Sequence, residues 1–62
     1  MTPDQLKEAR RKLGFSTAGL AKALRLGKQG ARTVRRWEAG DSAIPGPAEV
    51  AIEMMLTARQ GG

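Results

Sequence analysis

A chain of 62 residues with neither cysteine nor histidine has to fold without the two devices on which very small domains most often lean. Disulfide staples need paired cysteines, and structural zinc sites draw their ligands from Cys and His. What remains is the packing of secondary structure around one core. A single domain of this size hides little apolar surface, so its stability margin is expected to be narrow. The same absences weigh against catalysis. There is no thiol nucleophile and no imidazole base, the six acids are scattered, and no glycine-rich nucleotide loop is present, so an enzyme, a metal site or a cofactor is not expected.

The N-terminal Met1-Thr2-Pro3-Asp4 lacks the basic run and apolar stretch of an export signal, and no apolar run is long enough to cross a membrane. A soluble, cytoplasmic protein with no membrane contact is the expectation. The net charge of +5 is unevenly placed. Residues 1–40 hold ten Lys/Arg and three acids, a balance of +7, whereas residues 41–62 hold Arg59 against Asp41, Glu49 and Glu53, a balance of −2. One part of the chain suits a polyanion, and the other suits a different partner, for instance a second copy of itself.

Helix punctuation accounts for nearly all of the sequence. Thr2 as N-cap, Pro3 at the first helical position, Asp4 near the positive end of the helix dipole and Gln5 completing a T-x-x-Q capping box open a first helix. It is expected to run to Leu13 and stop at Gly14, with Leu6, Ala9 and Leu13 on one stripe. Ser16 is the expected N-cap of a short second helix that turns Leu20, Ala21 and Leu24 inward and closes at Leu26-Gly27. Gly19 within it is either tolerated or placed where a neighbouring helix or a sugar-phosphate strand comes close. A third helix is expected over Ala31 to Ala39, ended by Gly40, and a fourth after Ile44-Pro45-Gly46 with Pro47 in its first turn. The fold class is therefore all-α: a compact bundle of about four helices in one domain, residues 1–60, with Gly61-Gly62 a frayed tail.

At about 100° per residue, the third helix has an inward side marked by Val34 and Trp37 and an outward side on which Arg35, Arg32 and Arg36 fall about 100°, 160° and 200° from Val34. Glu38 lies toward the core, so no acid stands among the three arginines. Guanidinium is the side chain best matched to phosphate oxygens and to the O6/N7 edge of guanine, each of which it grips with two hydrogen bonds. A short helix bearing such groups, joined by a tight connection to the helix before it, has the geometry of helix-turn-helix DNA readers. Trp37 sits on the Val34 side and is assigned to the core.

Leu13-Gly14-Phe15-Ser16, Leu20-Ala21 with Leu24, Thr33-Val34-Arg35-Arg36-Trp37-Glu38-Ala39-Gly40 and Ile44-Pro45-Gly46-Pro47 together resemble the phage-repressor and Cro-like (XRE) helix-turn-helix family, from about Leu6 to Leu56. The resemblance implies a lambda-repressor-like domain whose third helix enters the major groove of double-stranded DNA. It implies base contacts from Ala31, Arg32, Arg35 and Arg36, with Arg32 and Arg36 foremost, and phosphate contacts from Thr17 and Thr33. It further implies a structural pair between Arg10 and Glu38, and membership among small regulators such as those of prophages, toxin-antitoxin pairs and phage operons that carry host-defence inhibitors.

The chain departs from the family at three places. Thr17 stands where a glutamine usually bonds a phosphate. Arg25-Leu26-Gly27-Lys28-Gln29-Gly30 is longer by about three residues than the usual turn. Asp41-Ser42-Ala43 lacks the basic residues often found there. The long connection either adds Lys28 and Gln29 as phosphate contacts or is a solvated polar loop. Lys7, Arg11, Lys12 and Lys22 are read as a solvated face, with a phosphate contact the alternative for each.

The fourth helix carries Val50, Ile52, Met54, Met55 and Leu56 over too wide an arc for one buried stripe. Val50, Met54 and Met55 are therefore assigned to a homodimer interface, with simple core filling the alternative for the methionines. The expected function is a dimeric repressor on a pseudopalindromic operator, acting on its own operon. The competing function is an antitoxin-like or adaptor module that holds another protein. An RNA binder that stacks bases on exposed aromatics is disfavoured, because Phe15 and Trp37 are both better placed as core.

Overall fold

Thr2 opens helix α1, Pro3–Lys12, with both halves of a capping box formed. The Gln5 N–H donates to Thr2 Oγ1 (3.1 Å) and the Thr2 N–H donates to Gln5 Oε1 (2.9 Å), so two backbone donors at the helix start are satisfied locally. The computed structural model describes residues 1–61, with side chains through Arg59, and continues with α2, Thr17–Ala23, α3, Gly30–Ala39, and α4, Gly46–Gly61. Gly62, part of the expected frayed tail, lies outside the described residues; α4 includes Gly61. The protein is an all-α bundle of four helices, with no strand among the described residues. Its Cα radius of gyration of 10.6 Å is that of a close-packed chain of this length. No helix among the described residues is long and apolar enough to cross a membrane.

Three helices end in the same way, and the third instance departs from the sequence expectation. After α1 the Phe15 N–H donates to the Arg10 carbonyl and the Gly14 N–H to that of Arg11, with Gly14 left-handed at φ 75°. After α3 the Asp41 and Gly40 N–H groups bond the carbonyls of Arg36 and Trp37, with Gly40 at φ 82°. This paired closure satisfies carbonyls that the helix leaves orphaned, and it requires a left-handed residue at its hinge. After α2 the same pair of bonds runs from Leu26 to Ala21 and from Arg25 to Lys22, but the left-handed hinge is Arg25, at φ 57°. Helix α2 therefore ends at Ala23, short of the stop expected at Leu26-Gly27, because an arginine takes the place that sequence reasoning assigns to a glycine.

The core comprises Leu6 and Ala9 from α1, Leu20 and Ala21 from α2, Val34 and Trp37 from α3, and Ile52 from α4. Leu6, Leu20, Val34 and Ile52 are sealed from solvent, each contributing roughly 1.5–3 kcal/mol by burial. Leu13, Phe15 and Leu24 pack against this cluster half-buried. Trp37 and Val34 thus occupy the structural places expected of them.

Two side-chain facts set the mutual placement of the helices. Arg10 donates from Nε to Glu38 Oε2 (2.7 Å), from Nη2 to Glu38 Oε1 (3.2 Å) and from Nη1 to the Phe15 carbonyl (3.0 Å). One guanidinium ties α1 to α3 and to the link that leads into α2. The Glu38 hydrogen bond raises the Arg10 pKa above its already high ordinary value. A raised cationic group adds stability at every pH below its unfolded value and loses it only as pH climbs through the raised one. Arg10 therefore stays charged wherever the domain is folded.

The second fact is Gly30, which is buried at the start of α3. A Cβ there would stand 2.8 Å from both Ala21 Cβ and Leu26 Cβ. The close approach that the sequence suggests for Gly19 belongs to Gly30. The nearest neighbours of a Cβ at Gly19 are Ser16 Oγ at 3.3 Å and Phe15 Cδ1 at 3.4 Å, and both come from the residues that lead into its own helix.

Gly30→Ala should improve local helix propensity by up to about 1 kcal/mol, yet lose about 1–3 kcal/mol to overpacking against Ala21 and Leu26. A thermal melt is expected to show a net drop of several degrees; an unchanged or higher midpoint would contradict the packing account. Arg10→Met strands the mostly buried Glu38 carboxylate, at a cost of about 3 kcal/mol. Denaturant unfolding of the double variant Arg10→Met/Glu38→Leu should recover most of that loss, because no unpaired charge then remains.

Candidate nucleic-acid interface

The outward face of α3 is built by the same residues that bury its inner face. With Gly30, Val34 and Trp37 turned into the core, the helical period leaves Arg32, Arg35 and Arg36 exposed. None of the three takes part in an ion pair; among the described residues the ion pairs are Arg10–Glu38 and that of the Met1 amino group with Glu49. Glu38, the one acid on α3, is held inward by Arg10. The face is consequently a cluster of unpaired guanidinium groups on a rigid element.

The remaining residues expected at the site lie on α2, on the connection and at the start of α3. Ala31 is half-buried beside α2, and it lines a notch between α2 and the connection. Lys28 also lines that notch and is exposed, as is Gln29. Gln29 is the residue before α3, and its side chain makes no capping bond, so the amide is free to meet a ligand. Thr17 is half-buried in the first turn of α2, while Ser16 caps that helix through Oγ, accepting from the Gly19 N–H at 3.0 Å.

Thr33 is half-buried, and its Oγ1 donates to the Gln29 carbonyl (3.1 Å), so in the free domain its proton serves the first turn of α3. Two further cations stand at the same notch. Lys22 and Arg25 line the notch with Lys28. Lys22 is by its sequence part of a solvated face, and Arg25 carries no signal at all, because its position depends on its left-handed backbone.

The surface of α4 divides. Val50 and Met54 are 53% and 67% exposed, respectively, and lie side by side with Glu53, Thr57 and Ala58 on the outward face. Met55 does not join them. It is half-buried, packs against the core and lines an apolar groove of about 440 Å³ with Leu24, Leu26 and Trp37. The physical reason is the helical period, which sets Met55 about 100° from Met54. The acids Glu8 and Glu53 lie along the seam between α1 and α4, in a depression separate from the arginine face.

If α3 reads duplex DNA as the resemblance implies, Arg32→Ala and Arg36→Ala should each cost about 1–3 kcal/mol on a preferred duplex and relax preference at one base pair per half-site, whereas Lys28→Ala should weaken all duplexes alike. Competition binding on preferred and random duplexes checks this, and equal losses on both for all three variants would refute the assignment of base contacts. No protein-family model, curated protein or solved structure matches the chain.

Proposed function

We propose that the protein is a sequence-specific double-stranded DNA-binding regulator of the phage-repressor and Cro-like kind, with α3 as its reading helix. The observation that carries this reading is the acid-free outward face of α3, where Arg32, Arg35 and Arg36 stand exposed and unpaired. Three like charges on a short helix repel one another until an anion arrives, and a polyanion whose groove is about 12 Å wide admits a helix about 10–12 Å across. In the groove, guanidinium groups donate paired hydrogen bonds to guanine O6 and N7, and Ala31 offers a small apolar contact. Thr17, Lys28 and Gln29 hold the sugar-phosphate backbone and fix the register.

Val50 and Met54 supply an apolar strip on α4 through which two copies associate. A two-fold dimer places its two reading helices on half-sites about 10 bp apart, which makes the operator pseudopalindromic. With no further module in these residues to recruit polymerase, occupancy of a promoter represses it, and the chain's own operon is the first candidate. The place of action is the nucleoid, in the cytoplasm of a bacterial or phage-infected cell. No cofactor or small-molecule ligand enters this reading.

A second reading, an antitoxin-like or adaptor module, is favoured by one observation: the apolar groove beside Trp37 and Met55 stays open on the domain surface. Selection from a random duplex pool at about 150 mM salt, where non-specific attraction is partly screened, separates the two. Enrichment of an inverted repeat with half-sites one turn apart is the expected result. A pool that stays random would overturn the regulator reading in favour of the protein-binding one.

A further inference from the structure

Resting on the DNA-binding reading, we propose that the notch between α2 and α3 is a clamp for the phosphates of one DNA strand, formed by Lys22, Arg25 and Lys28. The three cations come from three different pieces of chain: Lys22 from α2, Arg25 from the left-handed hinge after it, and Lys28 from the connection. All three are exposed, none is ion-paired, and no acid lines the notch. Its other walls are alanine and glycine, which lack the bulk to keep a sugar-phosphate strand away.

Arg25 is the observation that turns a basic patch into a built site. The two other helix ends of the same design place glycine at the left-handed hinge, where glycine is free of strain. An arginine there carries a backbone penalty that its structural role does not require, and strain of this kind points to a role for the side chain. Arg25 stands on the ridge between the notch and the apolar groove, lining both.

Placement is rigid as well. Leu26 and Gly30 are held against Ala21, which pins both ends of the segment that carries Lys28. Ala31 lines the notch and is the first residue of the proposed base-reading set, so a phosphate in the clamp adjoins the groove that α3 enters. The long connection thereby offers a backbone grip in place of the reach that Thr17, with its short side chain, does not have.

The test compares the full chain with Lys22→Gln, Arg25→Gly, Arg11→Gln and Lys12→Gln, binding a 20-base-pair duplex by fluorescence anisotropy from 50 to 200 mM salt. Removing the partner of one phosphate should flatten the plot of log affinity against log salt by about 0.9. Lys22→Gln and Arg25→Gly are each expected to flatten it by about that amount, with affinity falling equally on preferred and random sequences. Arg25→Gly should also melt at the same or a higher temperature, which excludes loss of fold as the cause. Arg11→Gln and Lys12→Gln, on α1, should leave the slope unchanged.

Wild-type slopes for Lys22→Gln and Arg25→Gly, on a duplex whose recognition still depends on Arg32 and Arg36, would overturn the clamp and leave the DNA-binding reading standing. An equal flattening in the α1 variants would show a diffuse field and overturn the clamp too. No salt-dependent binding of any duplex would overturn both.

Discussion

The missing side chain at Gly30 is the constraint on which the rest of the structure depends. Because nothing projects from it, α3 begins in contact with Ala21 and Leu26, and the angle between α2 and α3 follows from that contact. Once the angle is set, Val34 and Trp37 meet Leu20 and Leu6 in the core, and the arginines on the opposite side have only one direction left to face. The orientation of the exposed face is thus a by-product of how the buried face closes.

Arg10 completes what Gly30 begins. Its guanidinium holds Glu38 and the Phe15 carbonyl at once, and the Arg10 carbonyl in turn accepts from the Phe15 N–H. A single residue therefore fixes the exit of α1, the entry to α2 and the far end of α3. The same bond neutralises the one acid on α3. Stability and the electrostatic sign of the outward face are coupled through Glu38.

What was legible in the sequence is what local chemistry writes into it. Thr2 and Gln5 announce a helix start because the capping bonds join residues three apart, and Gly14 and Gly40 announce stops because left-handed hinges favour glycine. The period of Val34 and Trp37 exposes the arginine face without any structure. Arg25 was illegible because nothing in an arginine signals a left-handed backbone, and Gly27 offers itself as the stop instead. Gly30 was illegible as the point of close helix approach because that approach is decided by where α2 packs, which no residue beside Gly30 announces. Met54 and Met55 stay undivided between core and partner surface in the sequence, because composition shows a surplus of apolar residues on α4 without showing which of them the core takes. The Arg10–Glu38 pair is anticipated through resemblance alone; its 28-residue separation leaves no local trace.

The unpaired arginines also bear on the protein when it is alone. Charges that repel across α3 raise the free energy of the folded state, and dissolved ions relieve that repulsion by screening it. The same ions compete with a polyanion for those charges. Ionic strength therefore acts on this molecule in two opposed senses, firming the free domain while loosening any polyanion held by those charges. A bound nucleic acid would take the place of the salt, so that the partner becomes part of what holds the domain folded.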